Sequence, residues 1–453
     1  MSVRARLAAA ALLITLAGAG YFVWQVGFVG AGFTAKLLCS GVFVSGRGAQ
    51  DVLDQEIALN DPGILRFIRT EVDLADRRVE ASFLGLRSQT ALFRDGLGCT
   101  LANGVAPQAL ALPPPVSAAP LPGAGEPARY DAQRLARAVA SAFDPAVAGE
   151  RARTRAVVVL HDGRLVAERY APDLGPQTPL PGWSMAKSVL NALIGVLVAE
   201  GRLALEVPAP LTAWRGDGDP RAAITLRQLL QMESGLAFGE KYTNPLDDVT
   251  WMLFASADTA GFAAGKPLTA APGTRWQYSS GTSNILSRVV REALPDDAGY
   301  AALPRRALFA PLGMATAVME PDAAGNFVAS SYLYASARDW ARFGQLYLDD
   351  GVVGGRRLLP AGWVAFSTTP AAHAPEQSFG AHFWLKVPAE FAGGVRSNGG
   401  LPPGTFHAVG FEGQFVSVIP ARRLVVVRLG LSSGPGAWNH LRFLDDVVAA
   451  FPE

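Results

Sequence analysis

The stretch that decides the fold is Gly182-Trp183-Ser184-Met185-Ala186-Lys187-Ser188, which opens a long apolar helix. The helix is predicted over 184–200, because apolar residues recur there at i, i+3 and i+4 and Gly201 follows as a stop. Residues three apart on a helix lie on one face, a turn apart. The spacing therefore predicts that Ser184 and Lys187 lie side by side at the start of this helix.

A serine beside a lysine can do nucleophilic chemistry. The hydroxyl becomes a strong nucleophile only when a neighbouring group takes its proton, and a lysine can do so if burial lowers its pKa. The helix N-terminus adds a positive dipole end and free backbone N–H groups beside Ser184. Ser-x-x-Lys also arises by chance, and a serine at this position is more often only an N-cap, so the rest of the chain has to support a catalytic interpretation.

Length, charge and composition limit the classes of function to consider. The 453 residues allow two or three domains, and a net charge of +1 without a Lys/Arg cluster gives no reason to expect a nucleic-acid partner. No His/Cys/Asp cluster has metal-ligand spacing, so no metal or cofactor is predicted. These properties leave the oligomeric state open and favour a small-molecule substrate.

The N-terminus has the pattern of a targeting segment. Arg4 and Arg6 precede an apolar run that meets no further charge before Lys36. A cleaved signal peptide could end at Ala17-Gly18-Ala19, but the apolar run continues past that site and is long enough to span a bilayer. An uncleaved membrane anchor is favoured, and a cleaved signal remains the alternative. Both predict that the remainder is exported, either held at the inner membrane with an extracytoplasmic catalytic domain or secreted.

Composition shifts divide the chain. Cys39 and Cys99 suggest one disulfide, because paired cysteines in an exported chain are usually bonded. A segment rich in Pro, Ala and Gly, including Pro113-Pro114-Pro115, has no apolar periodicity and is predicted to be a linker. The expected units are a signal or anchor, a small exported module, the linker and the main domain: 1–35, 36–106, 107–127 and 128–453.

The main domain shows several further signals. Thr225 and Gln228 form a predicted capping box, and a hairpin of two apolar strands is predicted over 405–429. Tyr278 is expected on a loop before a helix at 284–293, where a lysine ammonium nearby would lower the pKa of its phenol. The loops 239–269 and 370–403 are expected to shape a pocket.

The last part of the chain also contains histidines and a glutamate that could belong to a site. His407 and Glu412, next to the predicted hairpin turn, are candidate site residues. His373 and His382 are interpreted as ordinary surface or loop residues.

Four segments in this order resemble the serine β-lactamase and penicillin-binding-protein-like superfamily, and within it the class C-like esterase branch typified by 6-aminohexanoate-dimer hydrolase. The resemblance covers about 128–453, and its segments are Trp183–Lys187, Leu229–Leu236, Gln277–Ser280 with Asn284, and Gly410–Gln414 running to Pro420. It implies an α+β fold, with an antiparallel sheet flanked by helices and a helical subdomain.

The resemblance implies site roles. Ser184 would be the acylated nucleophile, Lys187 its activator and Tyr278 the proton carrier. The N–H of Ser184 and one after Gly410 would hold the oxyanion. The residues expected to bind substrate are Ser280, Gly410, Gly413 and Gln414.

Two departures from the family pattern affect substrate choice. Ser280 replaces the asparagine of Tyr-x-Asn, and the Lys-Thr-Gly motif of the last strands is missing. Both weaken the case for β-lactams and favour esters or simple amides. The leading prediction is an exported serine hydrolase, an esterase or amidase; the alternatives are a catalytically inactive envelope binding protein and a β-lactamase or DD-peptidase.

Overall fold

The computed structural model describes residues 3–58, 63–107, 121, 123 and 130–452, so most of the predicted linker lies outside the described residues. The helices are α1 Val3–Cys39, α2 Ala49–Val52, α3 Ala132–Ser141, α4 Pro145–Ala148, α5 Met185–Ala199, α6 Leu226–Leu230, α7 Asp248–Ala255, α8 Thr259–Ala264, α9 Ser280–Glu292, α10 Asp297–Leu303, α11 Ala310–Leu312, α12 Ala337–Leu348, α13 Trp363–Ser367 and α14 His440–Val448. The strands are β1 Ile68–Asp73, β2 Arg78–Phe83, β3 Arg87–Arg94, β4 Gly98–Leu101, β5 Thr154–His161, β6 Arg164–Tyr170, β7 Leu180–Pro181, β8 Val318–Met319, β9 Leu333–Ala335, β10 Val352–Val353, β11 Arg356–Arg357, β12 Phe406–Gly410, β13 Gln414–Ile419 and β14 Leu424–Gly430.

A five-stranded antiparallel sheet in the order β12-β13-β14-β5-β6 forms the centre of the main domain. Both of its faces are covered, since α12 packs on one side and α3 and α14 on the other. In β5, Val158 belongs to one core and its neighbours Val157 and Val159 to the other. This double burial explains why the strand is a continuous apolar run in the sequence. The α+β fold implied by the resemblance is confirmed.

The helix that follows the candidate nucleophile Ser184, α5, is buried around most of its circumference. Its residues from Met185 to Leu197 are all buried between the sheet and the helical part of the domain. The capping box of Thr225 and Gln228 forms as predicted at α6. The helix expected from 284 begins earlier, at Ser280, because the side chain of Ser279 accepts a hydrogen bond from the Thr282 N–H and caps it there.

The N-terminal residues form one long helix with two different halves. In α1 the side chains of Leu7, Leu12 and Tyr21 are 66, 60 and 65% exposed, whereas Ala31 and Ala35 are fully buried. The expected division between residues 35 and 36 therefore falls inside a helix whose second half is core. Among the described residues, α1 is the helix long and apolar enough to cross a membrane, by length and composition only.

The second half of α1 packs on a four-stranded antiparallel sheet, β1 to β4, and Cys39 is bonded to Cys99 as predicted. This unit is fixed to the main domain by the buried carboxylate of Glu320. Glu320 pairs with Lys36, accepts a hydrogen bond from Ser40 Oγ at 2.9 Å and another from the Cys99 N–H at 2.6 Å. The small module is thus built against the main domain.

Candidate active site

The nucleophile turn is a strained connection between β7 and α5. Trp183 has φ of 48°, a left-handed value that is unusual for a bulky residue. The residue before it has to be glycine, because a Cβ on Gly182 would come within 2.2 Å of the Trp340 ring. Strain of this kind persists only where the surroundings hold it, and here it fixes Ser184 at the first turn of α5.

Lys187 lies beside Ser184, as the helical spacing predicts. Its Nζ is 2.9 Å from Ser184 Oγ, 3.1 Å from Ser280 Oγ and 2.9 Å from the carbonyl oxygen of Ser330. Burial lowers the pKa of Lys187 to about 8, although the charge of Glu240 opposes this shift. About a tenth of the lysine is therefore a neutral amine at pH 7, far more than for a solvated lysine, whose pKa is about 10.4.

Glu240 is hydrogen-bonded to Ser280, one of the partners of Lys187. Its carboxylate accepts hydrogen bonds from the Ser280 N–H at 2.8 Å and from Ser280 Oγ at 2.5 Å. Burial raises the pKa of Glu240, and the positive charge of Lys187 acts in the opposite direction. Sequence reasoning missed this residue; its contact is with a serine 40 positions away, and the only signal was its place in the loop 239–269 expected to shape the pocket.

The hydrogen-bond directions determine what Lys187 can offer Ser184. Because Ser280 gives its hydroxyl proton to Glu240, its oxygen must accept from Lys187, and the Ser330 carbonyl can only accept. These two contacts use both N–H bonds of a neutral amine. The lone pair that remains faces Ser184 Oγ, which is the geometry of a general base.

Two tyrosines converge on Ser184. Tyr278 and Tyr242 line the same cavity as Ser184, and the serine side chain acts to lower the pKa of each phenol. Burial raises the pKa of Tyr278, and the charge of Glu240 raises it further, so the expectation that a lysine ammonium would lower this pKa is wrong. Tyr278 is therefore a neutral phenol that can donate a proton. Tyr242, which also lies in the loop 239–269, was not identified from the sequence.

Ser184 opens into a cavity of about 350 Å³. Both loops expected to shape a pocket contribute to it, the first with Glu240 and Tyr242. The remaining lining comes from the second loop, the Tyr278 segment and the end of β12: Trp276, Tyr278, Trp384, Pro388, Ala389, Glu390, Arg396, Val409, Gly410 and Phe411. The walls are largely aromatic, with a few charged groups at fixed positions, as is usual for small-molecule sites.

The residues expected to bind substrate separate into two groups. Gly410 lines the cavity and approaches the nucleophile turn so closely that a Cβ on it would lie 2.1 Å from the Gly182 carbonyl oxygen. Ser280 is buried in the contact with Lys187. Gly413 has no side chain, and its carbonyl oxygen accepts a hydrogen bond from Arg428. Gln414 Nε2 donates hydrogen bonds to the Phe411 and Gly430 carbonyl oxygens, at 2.9 and 2.6 Å. These last contacts hold the turn after Gly410, and substrate binding by Gly413 and Gln414 stays a prediction.

The structure also shows the surroundings of four residues near the end of the chain that the sequence left as candidates or as ordinary residues: His407, Glu412, His382 and His373. His407 is buried against Ser417 Oγ at 2.9 Å, and burial lowers its pKa to about 3. Glu412 is a buried residue of the turn between β12 and β13. His382, interpreted as an ordinary surface or loop residue, lies in a loop but is buried, with Nδ1 2.8 Å from the Lys187 carbonyl oxygen, and burial lowers its pKa to about 3. His373 is a half-exposed loop residue beside Glu233.

The family model described as Beta-lactamase matches residues 139–447. The chain belongs to the Beta-lactamase family. The match contains Ser184, Lys187 and Tyr278 and leaves α1 and the sheet β1 to β4 outside. The antiparallel sheet and the nucleophile helix of the main domain are thus the family's part of the chain.

Relatives of this β-lactamase-family chain are hydrolases. The 6-aminohexanoate-dimer hydrolase of Paenarthrobacter ureafaciens is 24% identical over 318 residues, which cover 65% of this chain and 77% of that protein. Esterase EstB of Burkholderia gladioli is 29% identical over 185 residues, 36% of this chain and 46% of the esterase. A D-stereospecific amidohydrolase structure from Streptomyces sp. shares the fold, with a TM-score of 0.51, 18% identity and coverage of 70% of this chain and 98% of that one.

Proposed function

We propose that the protein is an exported serine hydrolase that cleaves ester or amide bonds through an acyl-enzyme on Ser184. The observation that carries this proposal is the contact of 2.9 Å between Lys187 Nζ and Ser184 Oγ, made by a lysine whose other partners are both acceptors. The hydrolase relatives support the reaction type. The apolar α1 and the Cys39–Cys99 disulfide support export.

Acylation follows from this geometry. Ser184 Oγ attacks the carbonyl carbon of the substrate as its proton passes to Lys187 Nζ, and the carbonyl oxygen becomes an oxyanion. The Ser184 N–H, with an N–H beyond Gly410, would stabilise that charge. The bond to the leaving group then breaks, and the departing alcohol or amine takes up the proton through the neutral phenol of Tyr278.

Deacylation repeats the sequence with water. Water attacks the acyl-serine carbonyl carbon and gives a proton to the neutral amine of Lys187, which was restored when its proton passed through Tyr278 to the leaving group. The bond to Ser184 Oγ breaks, the serine recovers its proton and the carboxylic acid leaves. Ser280 and Glu240 keep Lys187 in place through both halves of the reaction.

The departures from the family pattern guide the choice of substrate. Ser280, where the family has an asparagine, is occupied by Lys187 and Glu240 and is buried. Its hydroxyl is therefore poorly placed to bind the side-chain amide of a β-lactam, which leaves esters and simple amides as the proposed substrates.

The test is hydrolysis of a nitrophenyl butyrate by the full chain in detergent, beside its Ser184→Ala and Lys187→Ala variants. We expect each variant to lose turnover by about 10³-fold or more while its circular dichroism and unfolding temperature remain those of a folded protein. A fluorophosphonate should label the parent chain and leave Ser184→Ala unlabelled. A folded Ser184→Ala variant that retains most of its turnover would overturn the proposal, and a failure to be labelled would favour the binding-protein alternative.

A further inference from the structure

A second cavity, of about 140 Å³, lies next to the active-site cavity. It is lined almost entirely by apolar side chains. The lining includes one threonine, Thr250. Its hydroxyl group donates to the carbonyl oxygens of Asn244 and Asp247, at 2.9 and 3.0 Å, and so is already satisfied. The lining residues are Val26, Val29, Gly30, Phe33, Ile64, Leu65, Trp183, Tyr242, Pro245, Thr250, Phe254 and Phe411.

The two cavities share a wall. Tyr242 and Phe411 line both of them and stack with ring centroids 5.2 Å apart, and Trp183 meets Phe411 edge-on at 5.6 Å. Trp183 is also the residue immediately before Ser184. A ligand lying in the second cavity would therefore need to pass only this aromatic pair to bring its end to the nucleophile.

The position of this cavity along α1 is informative. Val26, Val29, Gly30 and Phe33 line it, and they are where the helix first becomes buried in the protein. Before them the large apolar side chains are exposed up to Val23. The exposed apolar half of α1 ends at Val23. At a rise of about 1.5 Å per residue, the near end of the cavity lies within roughly 10 Å of that point.

A second exposed apolar element lies at the same level. The tip of the β2–β3 hairpin carries Leu84 and Leu86, which are 51 and 74% exposed. The guanidinium of Arg87, next to this tip, stacks 3.8 Å over Phe28 and donates to the carbonyl oxygen of Trp24. Tryptophan and arginine beside exposed aliphatic residues are typical of the water interface of a membrane.

We infer that the second cavity holds the acyl chain of a membrane-resident ester and directs its carbonyl carbon to Ser184. This inference rests on the proposed function and names its substrate class: an amphiphile with a hydrocarbon acyl chain, taken up from the bilayer in which α1 is embedded. Burial of the chain should improve binding by about fourfold per methylene, until the cavity is full. The unit of α1 and β1 to β4 then completes the acyl side of the active site.

The test compares nitrophenyl butyrate with nitrophenyl decanoate on the full chain reconstituted in phosphatidylcholine vesicles. The wild type should prefer the decanoate in kcat/KM. Val29→Phe, which fills the cavity from α1, should lower the decanoate-to-butyrate ratio by about tenfold or more. Ile64→Trp fills it from a half-buried position on another segment, so it serves if Val29→Phe fails to fold. The matched control, Val23→Phe on the exposed part of α1, should keep the wild-type ratio.

The outcomes separate this inference from the proposed function. If a short ethoxy fluorophosphonate labels Ser184 but the wild type shows no preference for the decanoate, the acyl-chain site is wrong and the hydrolase proposal stands. The site is also wrong if folded cavity-filling variants keep the wild-type ratio. If the probe labels nothing and neither ester is turned over, the hydrolase proposal itself fails.

Discussion

At the scale of single residues, Lys187 is the group whose charge state controls the proposed reaction. Its full burial removes solvation from the ammonium and lowers its pKa to about 8. The carboxylate of Glu240 acts against this shift, through Ser280, by favouring the charged lysine. The free enzyme should therefore gain activity as the pH rises through the pKa of the lysine.

Glu240→Gln tests this balance. The substitution preserves shape and removes the negative charge that raises the pKa of Lys187, so the pKa should fall below about 8. The rising limb of kcat/KM against pH should move to lower pH, because the neutral amine is then present under more acidic conditions. Nitrophenyl butyrate hydrolysis between pH 5 and 10, values chosen to bracket this pKa, measures the limb.

The control for this measurement is Glu390→Gln, which removes a carboxylate from the lining of the same cavity at a position away from Ser280. It should leave the limb close to its wild-type position. A limb that stays fixed or moves to higher pH in a folded Glu240→Gln variant would contradict the assignment of the limb to a Lys187 whose pKa is raised by the charge of Glu240.

At the scale of elements, α1 combines a first half whose apolar side chains are exposed with a second half that is closely packed. Glycines allow the close packing: a Cβ on Gly27 would lie 2.3 Å from the Phe83 ring, and one on Gly32 would lie 2.0 Å from the Phe254 carbonyl oxygen. In the exposed half, a Cβ on Gly20 would meet nothing within 4 Å. The same residue type therefore has different roles in the two halves.

Gly32→Ala should destabilise the full chain by about 1–3 kcal/mol, because the obstructing atom belongs to the backbone of α7 and cannot rotate away. Gly20→Ala is the matched control and should change the free energy of unfolding by no more than about 1 kcal/mol. Denaturant unfolding in detergent, followed by tryptophan fluorescence, measures both. Equal stabilities in the two variants would mean that α1 does not pack on α7 in this way.

At the scale of the whole molecule, the N-terminal unit and the hydrolase domain are one packed structure. The core continues from the family's domain into Val29, Ala31, Leu37 and Leu38 of α1. Burying each large aliphatic side chain contributes about 1.5–3 kcal/mol, against a total stability of about 5–15 kcal/mol for a typical domain. Removal of this half of α1 should therefore destabilise the active site as well.

Two truncations test this. A chain that lacks residues 1–22 should stay folded, hydrolyse nitrophenyl butyrate and no longer co-sediment with phosphatidylcholine vesicles, because it loses the exposed apolar side chains from Leu7 to Phe22. A chain that lacks residues 1–35 should lose its cooperative unfolding transition and its turnover. Full activity and stability in the shorter chain would show that the α1 contacts contribute little.

Local signals were sufficient for much of the catalytic half. The periodicity around Ser184 predicted α5 and the side-by-side Ser184 and Lys187. The capping box and the paired cysteines were also predicted. Boundaries were less accurate, since the helix expected over 284–293 begins at Ser280 and ends at Glu292.

By itself, the sequence determined many of the elements and the side-by-side placement of Ser184 and Lys187, because helical spacing and strand burial act between residues that are near in the chain. The resemblance of four segments indicated the family. Only the tertiary structure decided the partners of Lys187, the raised pKa of Tyr278, the burial of His382 and the fusion of α1 with the active-site wall. Each of these depends on residues far apart in the chain, such as Glu240 and Ser280 or Val26 and Phe411. Desolvation and contact across such separations arise from packing, and a one-dimensional pattern carries no record of them.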